Sequence, residues 1–238
     1  MKFKKVVLFL VFVFPLSLYA QNPSPCVTAQ FDLATRWVWR GASYSETPVI
    51  QPVFGYSGQK LKLLVFGSYP IERRAYSEID FTAEYQLFNF MRIGFTDYFA
   101  INDSLGARHN FFDMERKTSM HMFDVYATVS PFRGIPLSVL YSLWFWGADR
   151  QPETLRQNFS QYVEIKYEKE VGEYTATAFA GATLGKGFYA RRAAFVNVGF
   201  GLSRTVCLTK TLSLPMKFEF VLNPELQNVY LNFIIGLK

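Results

Sequence analysis

Apolar and polar residues alternate one by one through residues 77–87. The odd-numbered positions from 79 to 87 are apolar, and the even-numbered positions between them are polar or charged. Because successive side chains of a β-strand point to opposite faces, this pattern predicts a strand with one apolar and one ionic face. The predicted strand is also long. A strand in a soluble domain has about five or six residues, whereas one that crosses a bilayer needs about nine to eleven.

The same alternation recurs along the chain and predicts about twelve strands. Among the predicted strands are residues 28–40, 49–57, 90–99, 174–184 and 228–238. The connections alternate between short turns and longer loops, of which residues 100–117 and 147–158 are the longest. An even strand number with this asymmetry is typical of outer-membrane barrels. The predicted fold is therefore an all-β, transmembrane, antiparallel up-and-down barrel with both termini in the periplasm.

A soluble exported β-sandwich is the alternative fold, because its strands also alternate between a core face and a water face. The length of the strands and the position of the aromatic residues favour the barrel. Aromatic residues make up 18% of the chain. Those expected on the apolar face near strand ends are Trp37, Trp39, Tyr56, Tyr69, Tyr85 and Tyr141. Such residues form girdles at the lipid interface of a membrane barrel.

The N-terminus has the pattern of an export signal. Three lysines within the first five residues precede an apolar stretch, residues 6–18, and the small residue Ala20. The apolar stretch is shorter than the roughly twenty residues of a spanning helix. We expect residues 1–20 to be a cleaved signal peptide, residues 21–27 a periplasmic leader, and residues 28–238 a barrel in contact with the lipid of a Gram-negative outer membrane.

The net charge of +6 is scattered along the chain and forms no basic patch. This distribution argues against nucleic-acid binding. No His, Cys and Asp cluster has the spacing of a metal site, and no Gly-rich loop is of the phosphate-binding kind. The sequence therefore predicts neither a metal nor another cofactor.

One motif resembles a known family. It consists of the run from Asp32 to Gly41 with Ser45, Pro48, Gln51 and Pro52, and it is similar to the opening motif of the TorF-like porin family. Residues 67–69, 94–98 and 179–183 are similar to that family as well, and the likeness is strongest over residues 28–99. The resemblance implies an outer-membrane barrel that acts as a porin, and it supplies neither a solute nor catalytic residues. The chain departs from such barrels at its C-terminus, because it ends in lysine and not in an aromatic residue.

The inward face of the predicted barrel carries charges of both signs. The candidate pore-lining residues are Arg36, Arg40, Lys62, Glu78, Asp80, Glu84, Arg92, Asp124, Trp144, Trp146, Glu164, Lys166, Lys217 and Glu219. A barrel of this size leaves a lumen roughly 10 Å across. Two interpretations stay open. The lumen is a narrow, charged channel for small polar solutes, or salt bridges plug it and the protein is a structural or docking subunit of an outer-membrane complex.

The tryptophans of this set, Trp144 and Trp146, are expected near the outer mouth. Two uses of their rings are consistent with the sequence. They stack against a ligand, or they pack against a loop, and the second use is the more common one for buried rings.

An enzyme is a remote alternative, because Ser119 and His121 lie two residues apart on a predicted strand that faces lipid. A Ser/His pair there is compatible with phospholipid hydrolysis. The spacing alone is weak support, and we expect a protein that is not an enzyme.

The two cysteines, Cys26 and Cys207, are both expected at the periplasmic end. The periplasm is oxidising, so a disulfide between them is one hypothesis. Two separate free thiols are the alternative, because sequence gives no distance between them.

Overall fold

The computed structural model describes residues 25–72, 76–102, 110–210 and 212–237. This part of the chain forms fourteen strands. They are β1 (Cys26–Ala34), β2 (Trp37–Trp39), β3 (Ala42–Ser45), β4 (Val49–Ser57), β5 (Leu61–Pro70), β6 (Tyr76–Phe88), β7 (Met91–Asn102), β8 (His121–Val129), β9 (Leu137–Gly147), β10 (Gln161–Val171), β11 (Tyr174–Thr183), β12 (Ala194–Cys207), β13 (Ser213–Asn223) and β14 (Asn228–Leu237). The predicted signal peptide, residues 1–20, lies outside the described residues.

Twelve of these strands close into one antiparallel barrel. Strands β4 to β14 follow chain order around it, and β1 closes the ring between β14 and β4. The barrel strands have 9 to 14 residues, long enough to cross a bilayer. The prediction of a closed antiparallel barrel of about twelve strands is confirmed. The predicted leader ends earlier than residue 27, because Cys26 and Val27 already pair with Ser57 and Tyr56 of β4.

The outer face of the barrel is apolar, as the alternation predicts. On β6, Phe81 and Tyr85 are exposed, whereas Glu78 and Asp80 on the inner face are buried. Tyr69 and Tyr141 are also exposed, in agreement with the predicted aromatic positions. An exposed apolar wall is unfavourable in water and favourable in lipid. Because the strands close into a hydrogen-bonded ring, few backbone N–H and C=O groups lack a partner in the lipid. The barrel therefore has the architecture of a transmembrane protein.

The two ends of the barrel differ. Residues 35–48, 110–120 and 148–160 lie at one end, called here the long-loop end. Tight turns such as 89–90 and 172–173 lie at the other, called here the short-turn end. No helix long and apolar enough to cross a membrane occurs in the described part of the chain.

The first strand is shorter than predicted, because β1 leaves the barrel wall after Ala34. There the backbone N–H of Thr35 donates to the carbonyl oxygen of Phe233, and the Thr35 hydroxyl bonds to the Asn232 amide oxygen at 3.0 Å. As a result β1 pairs with β14 over only four residues. The chain then turns into the lumen, where β2 and β3 form a two-stranded hairpin.

The lumen hairpin, Trp37–Ser45, overturns one prediction about the aromatic girdle. Trp37 is buried, and Trp39 packs against rings of the inner wall. Neither residue faces lipid. Residues 28–40 do alternate, but they form two strands: β1 in the barrel wall and β2 in the lumen. The prediction that the apolar residues of both strands face lipid was therefore wrong.

Candidate functional site in the barrel lumen

The lumen hairpin turns at Arg40 and Gly41. Both residues have positive φ angles, 45° and 80°, as a two-residue hairpin turn of the primed type requires. A Cβ atom on Gly41 would lie 1.7 Å from the carbonyl oxygen of Val196 on β12. The Asn223 side chain donates to the Gly41 carbonyl oxygen at 2.9 Å. The absence of a side chain at Gly41 thus lets the hairpin tip rest against the far wall.

Arg40 fixes the hairpin through a buried ion pair. Its Nη2 lies 3.3 Å from Oδ2 of Asp124 on β8, with the Arg40 side chain 10% and the Asp124 side chain 0% exposed. Arg40 Nη1 donates to the Ser142 hydroxyl at 2.9 Å and to the Tyr189 hydroxyl. Ser142 in turn donates to Asp124 at 2.8 Å. These contacts join the hairpin to two wall strands and to loop 184–193.

Aromatic rings fill the lumen around the hairpin. The Trp39 ring lies 5.4 Å from that of Tyr98 and 6.0 Å from that of Trp144. Trp144 also contacts Phe188, at 4.5 Å between ring centroids. The space left between these rings, called here the ring-walled cavity, has a volume of about 10 Å³. That is room for about one water molecule, so the lumen is closed at this level.

Larger cavities lie on both sides of the rings. The inner cavity, about 530 Å³, lies toward the short-turn end and is lined by Trp39, Arg40, Glu164 and other wall residues. The outer cavity, about 610 Å³, lies among the long loops and includes Phe188 and Arg150. Trp39 borders both the inner and the ring-walled cavity, and Phe188 borders both the ring-walled and the outer one. The ring-walled cavity is therefore a neighbour of each of the two larger cavities.

Most of the predicted pore-lining charges lie on the inner wall as ion pairs. Three such pairs are Arg92 with Glu84 at 3.3 Å, Lys166 with Glu168 at 3.5 Å, and Lys217 with Glu219 at 2.6 Å. Lys62 lies opposite Glu84 in the β5–β6 register. This arrangement explains how both signs of charge coexist in a narrow lumen.

Three of the predicted pore-lining carboxylates are not paired with a cation in the described part of the chain. Glu78 accepts a hydrogen bond from the Tyr76 hydroxyl at 2.6 Å. Glu164 accepts from Tyr162 at 2.5 Å and from the Asn197 amide at 3.0 Å. One carboxylate oxygen of the buried Asp80 has no hydrogen-bond partner among the described residues. Alternation alone could not separate these acids from the paired ones, because both kinds occupy the same face of their strands.

Arg36 and Trp146 lie away from the centre of the lumen. Arg36 is at the base of the hairpin, 3.3 Å from Glu46, with its guanidinium 5.7 Å from the Tyr230 ring centroid. Trp146 stacks on Phe123 at 4.8 Å, on the lipid-facing side. A bulge in the β8–β9 ladder between positions 123 and 124 reverses the facing expected for Trp146. Its inward assignment was wrong, whereas that of Trp144 is confirmed.

The Ser119 and His121 pair does not have hydrolase geometry. The His121 ring is buried, with Nδ1 2.8 Å from Asp97 and Nε2 2.8 Å from the carbonyl oxygen of Phe111. The Ser119 hydroxyl oxygen accepts from the backbone N–H of His121 at 3.2 Å and not from its ring. Both ring nitrogens are thus occupied, and no base is available to activate the serine. The His121 ring instead holds residues 110–119 against the outer wall.

The segment 110–119 is also fixed to the neighbouring loop. Arg150 donates to the carbonyl oxygen of Arg116 at 2.7 Å. Within the segment, the backbone N–H of Glu115 donates to Asp113 at 2.9 Å, and this hydrogen bond lowers the pKa of the Asp113 carboxyl. The loops at this end therefore form a connected rim.

Cys26 and Cys207 are free and exposed in the structure. They lie on β1 and β12, which β13 and β14 separate in the barrel. Three strand spacings amount to about 14 Å, well beyond the Cα separation of about 7 Å that a disulfide allows. The structure contradicts the hypothesised bond.

The motif that resembles the TorF-like porin family forms the inward turn and the first half of the lumen hairpin. Sequence reasoning missed the hairpin, although a glycine between two alternating segments is a recognised hairpin signal. No family model matches the chain, so the resemblance stays a prediction. No curated protein matches it either.

Two solved structures have a similar overall shape. One is an outer membrane channel from Pseudomonas putida F1, with 12% identity, a TM-score of 0.48, and coverage of 92% of this chain and 96% of that one. The other is the CymD monoaromatic hydrocarbon channel, with 9% identity, a TM-score of 0.40, and coverage of 91% and 88%.

Proposed function

We propose that this protein is an outer-membrane channel for small polar solutes and that the lumen hairpin closes it. The observation that carries the proposal is that three neighbouring cavities share the rings of Trp39 and Phe188 as boundaries. A barrel with a purely structural role has no need for such neighbouring cavities. Displacing the hairpin would remove the Trp39 boundary and would release Tyr189 from Arg40, so that loop 184–193 with Phe188 is free to open the outer cavity as well.

We infer the orientation of the barrel in the membrane from the difference between its two ends. Outer-membrane barrels place short turns in the periplasm and longer loops outside. On this basis the outer cavity faces the cell exterior, and the inner cavity opens toward the periplasm. Solute would enter among the long loops and pass the rings when the hairpin moves.

A plugged structural subunit is the second candidate, and one observation favours it. The hairpin is held by the buried pair of Arg40 and Asp124 and by the contact of Gly41 with β12. If the hairpin never leaves this position, the lumen never conducts. The barrel would then serve as a platform on which the rim of long loops binds a partner.

Single-channel recording in planar bilayers separates the two candidates. Trp39→Ala removes a ring that borders two cavities and leaves every charge in place. We expect larger conductance steps from this variant than from the wild-type protein. Trp146→Ala is the matched control, because it removes the same side chain from the lipid-facing side. No conductance steps from either variant would favour the plugged subunit. Equal, non-zero steps from the wild-type protein and both variants would contradict closure of the lumen by the hairpin.

A further inference from the structure

Some acidic side chains of the lumen remain unpaired when the ion pairs are set aside. Glu78, Asp80 and Glu164 form no ion pair with a basic side chain within the described ranges. Glu78 borders the ring-walled cavity and Glu164 borders the inner cavity. Carboxylates without cationic partners therefore lie at the closed level and on its inner side.

The guanidinium group of Arg40 already occupies the closed level of the lumen. The Arg40 guanidinium carbon lies 4.4 Å from the Trp39 ring centroid and 4.6 Å from that of Tyr162. The guanidinium also pairs with Asp124 at 3.3 Å. A carboxylate flanked by aromatic faces is a favourable environment for a guanidinium or an ammonium ion.

The residues of the barrel wall that surround the Arg40 guanidinium are held in place without the hairpin. Asp124 receives hydrogen bonds from the hydroxyls of Ser142, at 2.8 Å, and Tyr98, at 3.4 Å. The Tyr162 ring belongs to β10. When the hairpin withdraws, Arg40 and Trp39 leave together, and a carboxylate with an adjacent aromatic face stays behind on the wall.

We propose that the channel selects small organic cations of the guanidinium or primary ammonium class. Asp124 and Tyr162 form their binding site, which Arg40 fills when the lumen is closed, and Glu164 raises the cation concentration in the inner cavity beside it. A solute cation would compete with Arg40 for Asp124 and so favour the open lumen. This inference rests on the proposed function, since it names the solute class of the same lumen.

Ion selectivity of the Trp39→Ala variant is the first test. Its reversal potential in a KCl gradient should show K⁺ to be more permeant than Cl⁻. Glu164→Gln in the same background should lower the permeability ratio by about tenfold, because one charge about 6 Å away in water favours K⁺ about threefold and disfavours Cl⁻ about threefold. Glu115→Gln is the control, because it removes the same charge from an exposed loop. A channel that prefers Cl⁻, or a ratio unaffected by Glu164→Gln, would overturn the proposal.

The second test needs no conductance. Arg40→Ala empties the site, and methylguanidinium should bind there and raise the unfolding temperature of this variant. It should not do so for the double variant Arg40→Ala/Asp124→Asn, nor should KCl at equal ionic strength do so for Arg40→Ala. If methylguanidinium stabilises neither variant, the cation site is disproved. If the site binds but Trp39→Ala does not conduct, the proposed channel fails and the cation site stands.

Discussion

Arg40 and Asp124 form an ion pair at 3.3 Å that joins the inserted hairpin to the barrel wall. The two residues are 84 positions apart in the sequence and lie on separate sheets. Both are almost completely buried, so neither charge is screened well by water. This pair is one of the contacts that hold the hairpin in the lumen.

We expect Arg40→Ala to lower the free energy of unfolding by about 3–5 kcal/mol, because it leaves the Asp124 carboxylate buried without a partner. The double variant Arg40→Ala/Asp124→Asn should recover much of this loss. Thermal unfolding in detergent, followed by the mobility shift on gels, measures both. Arg36→Ala is the control, since its pair with Glu46 is largely exposed and should contribute less than about 1 kcal/mol. Equal losses from Arg36→Ala and Arg40→Ala would contradict the anchoring role.

Gly41→Ala should displace the hairpin tip, because the new Cβ atom would overlap the Val196 carbonyl oxygen. Gly134→Ala is a closely matched control. Its φ angle is 83°, against 80° for Gly41, and no atom lies within 4 Å of the position that its Cβ would take. Gly134→Ala should lower the free energy of unfolding only by the backbone strain of about 1–2 kcal/mol. We expect a clearly larger loss of unfolding free energy for Gly41→Ala, and similar losses would show that the tip does not rest on β12.

His121→Leu should release residues 110–119 from the outer wall, because it removes the hydrogen bonds to Asp97 and to the Phe111 carbonyl. Trypsin should then cleave after Arg116 or Lys117 several times faster than in the wild-type protein. Cleavage in the short-turn end, after Lys60, should not change. An unchanged rate at Arg116 would mean that other contacts, such as that from Arg150, hold the segment.

Cys26 and Cys207 should both react with a thiol reagent without prior reduction, because both are free and exposed. Both lie at the short-turn end, which the proposed orientation places in the periplasm. A reagent that cannot cross the outer membrane should therefore label them only after the cells are permeabilised. Labelling of intact cells would reverse the orientation.

The strands of the barrel wall could be predicted from sequence, because their side chains alternate between a face toward lipid and a face toward the lumen. This alternation appears in the sequence as a period of two residues. The strand at residues 77–87 shows this directly, since Phe81 and Tyr85 lie outside and Glu78 and Asp80 inside, as expected. Strand number followed from counting such segments. Local patterns of this kind carry no information on distant contacts.

The hairpin and the site could not be predicted in the same way. Trp37 and Trp39 continue the alternation of β1, and only the turn at Thr35 removes them from the wall. Trp146 was assigned to the wrong face because one bulge in β9 shifts every later position. Arg40 pairs with Asp124, and Glu164 has no ion pair with a described residue. Both facts depend on the closed barrel and on the path of the hairpin.

Removal of the lumen hairpin shows whether this element closes the channel. Trp37 and Ser45 are paired neighbours at its base, so a Gly-Gly linker can replace residues 37–45 without straining the wall. Single-channel recording of this variant should show conductance steps well above those of the wild-type protein, because the inner cavity loses its Trp39 boundary and loop 184–193 loses its contact with Arg40. Conductance equal to that of the wild type, in a barrel that still shows heat-modified mobility, would contradict the account.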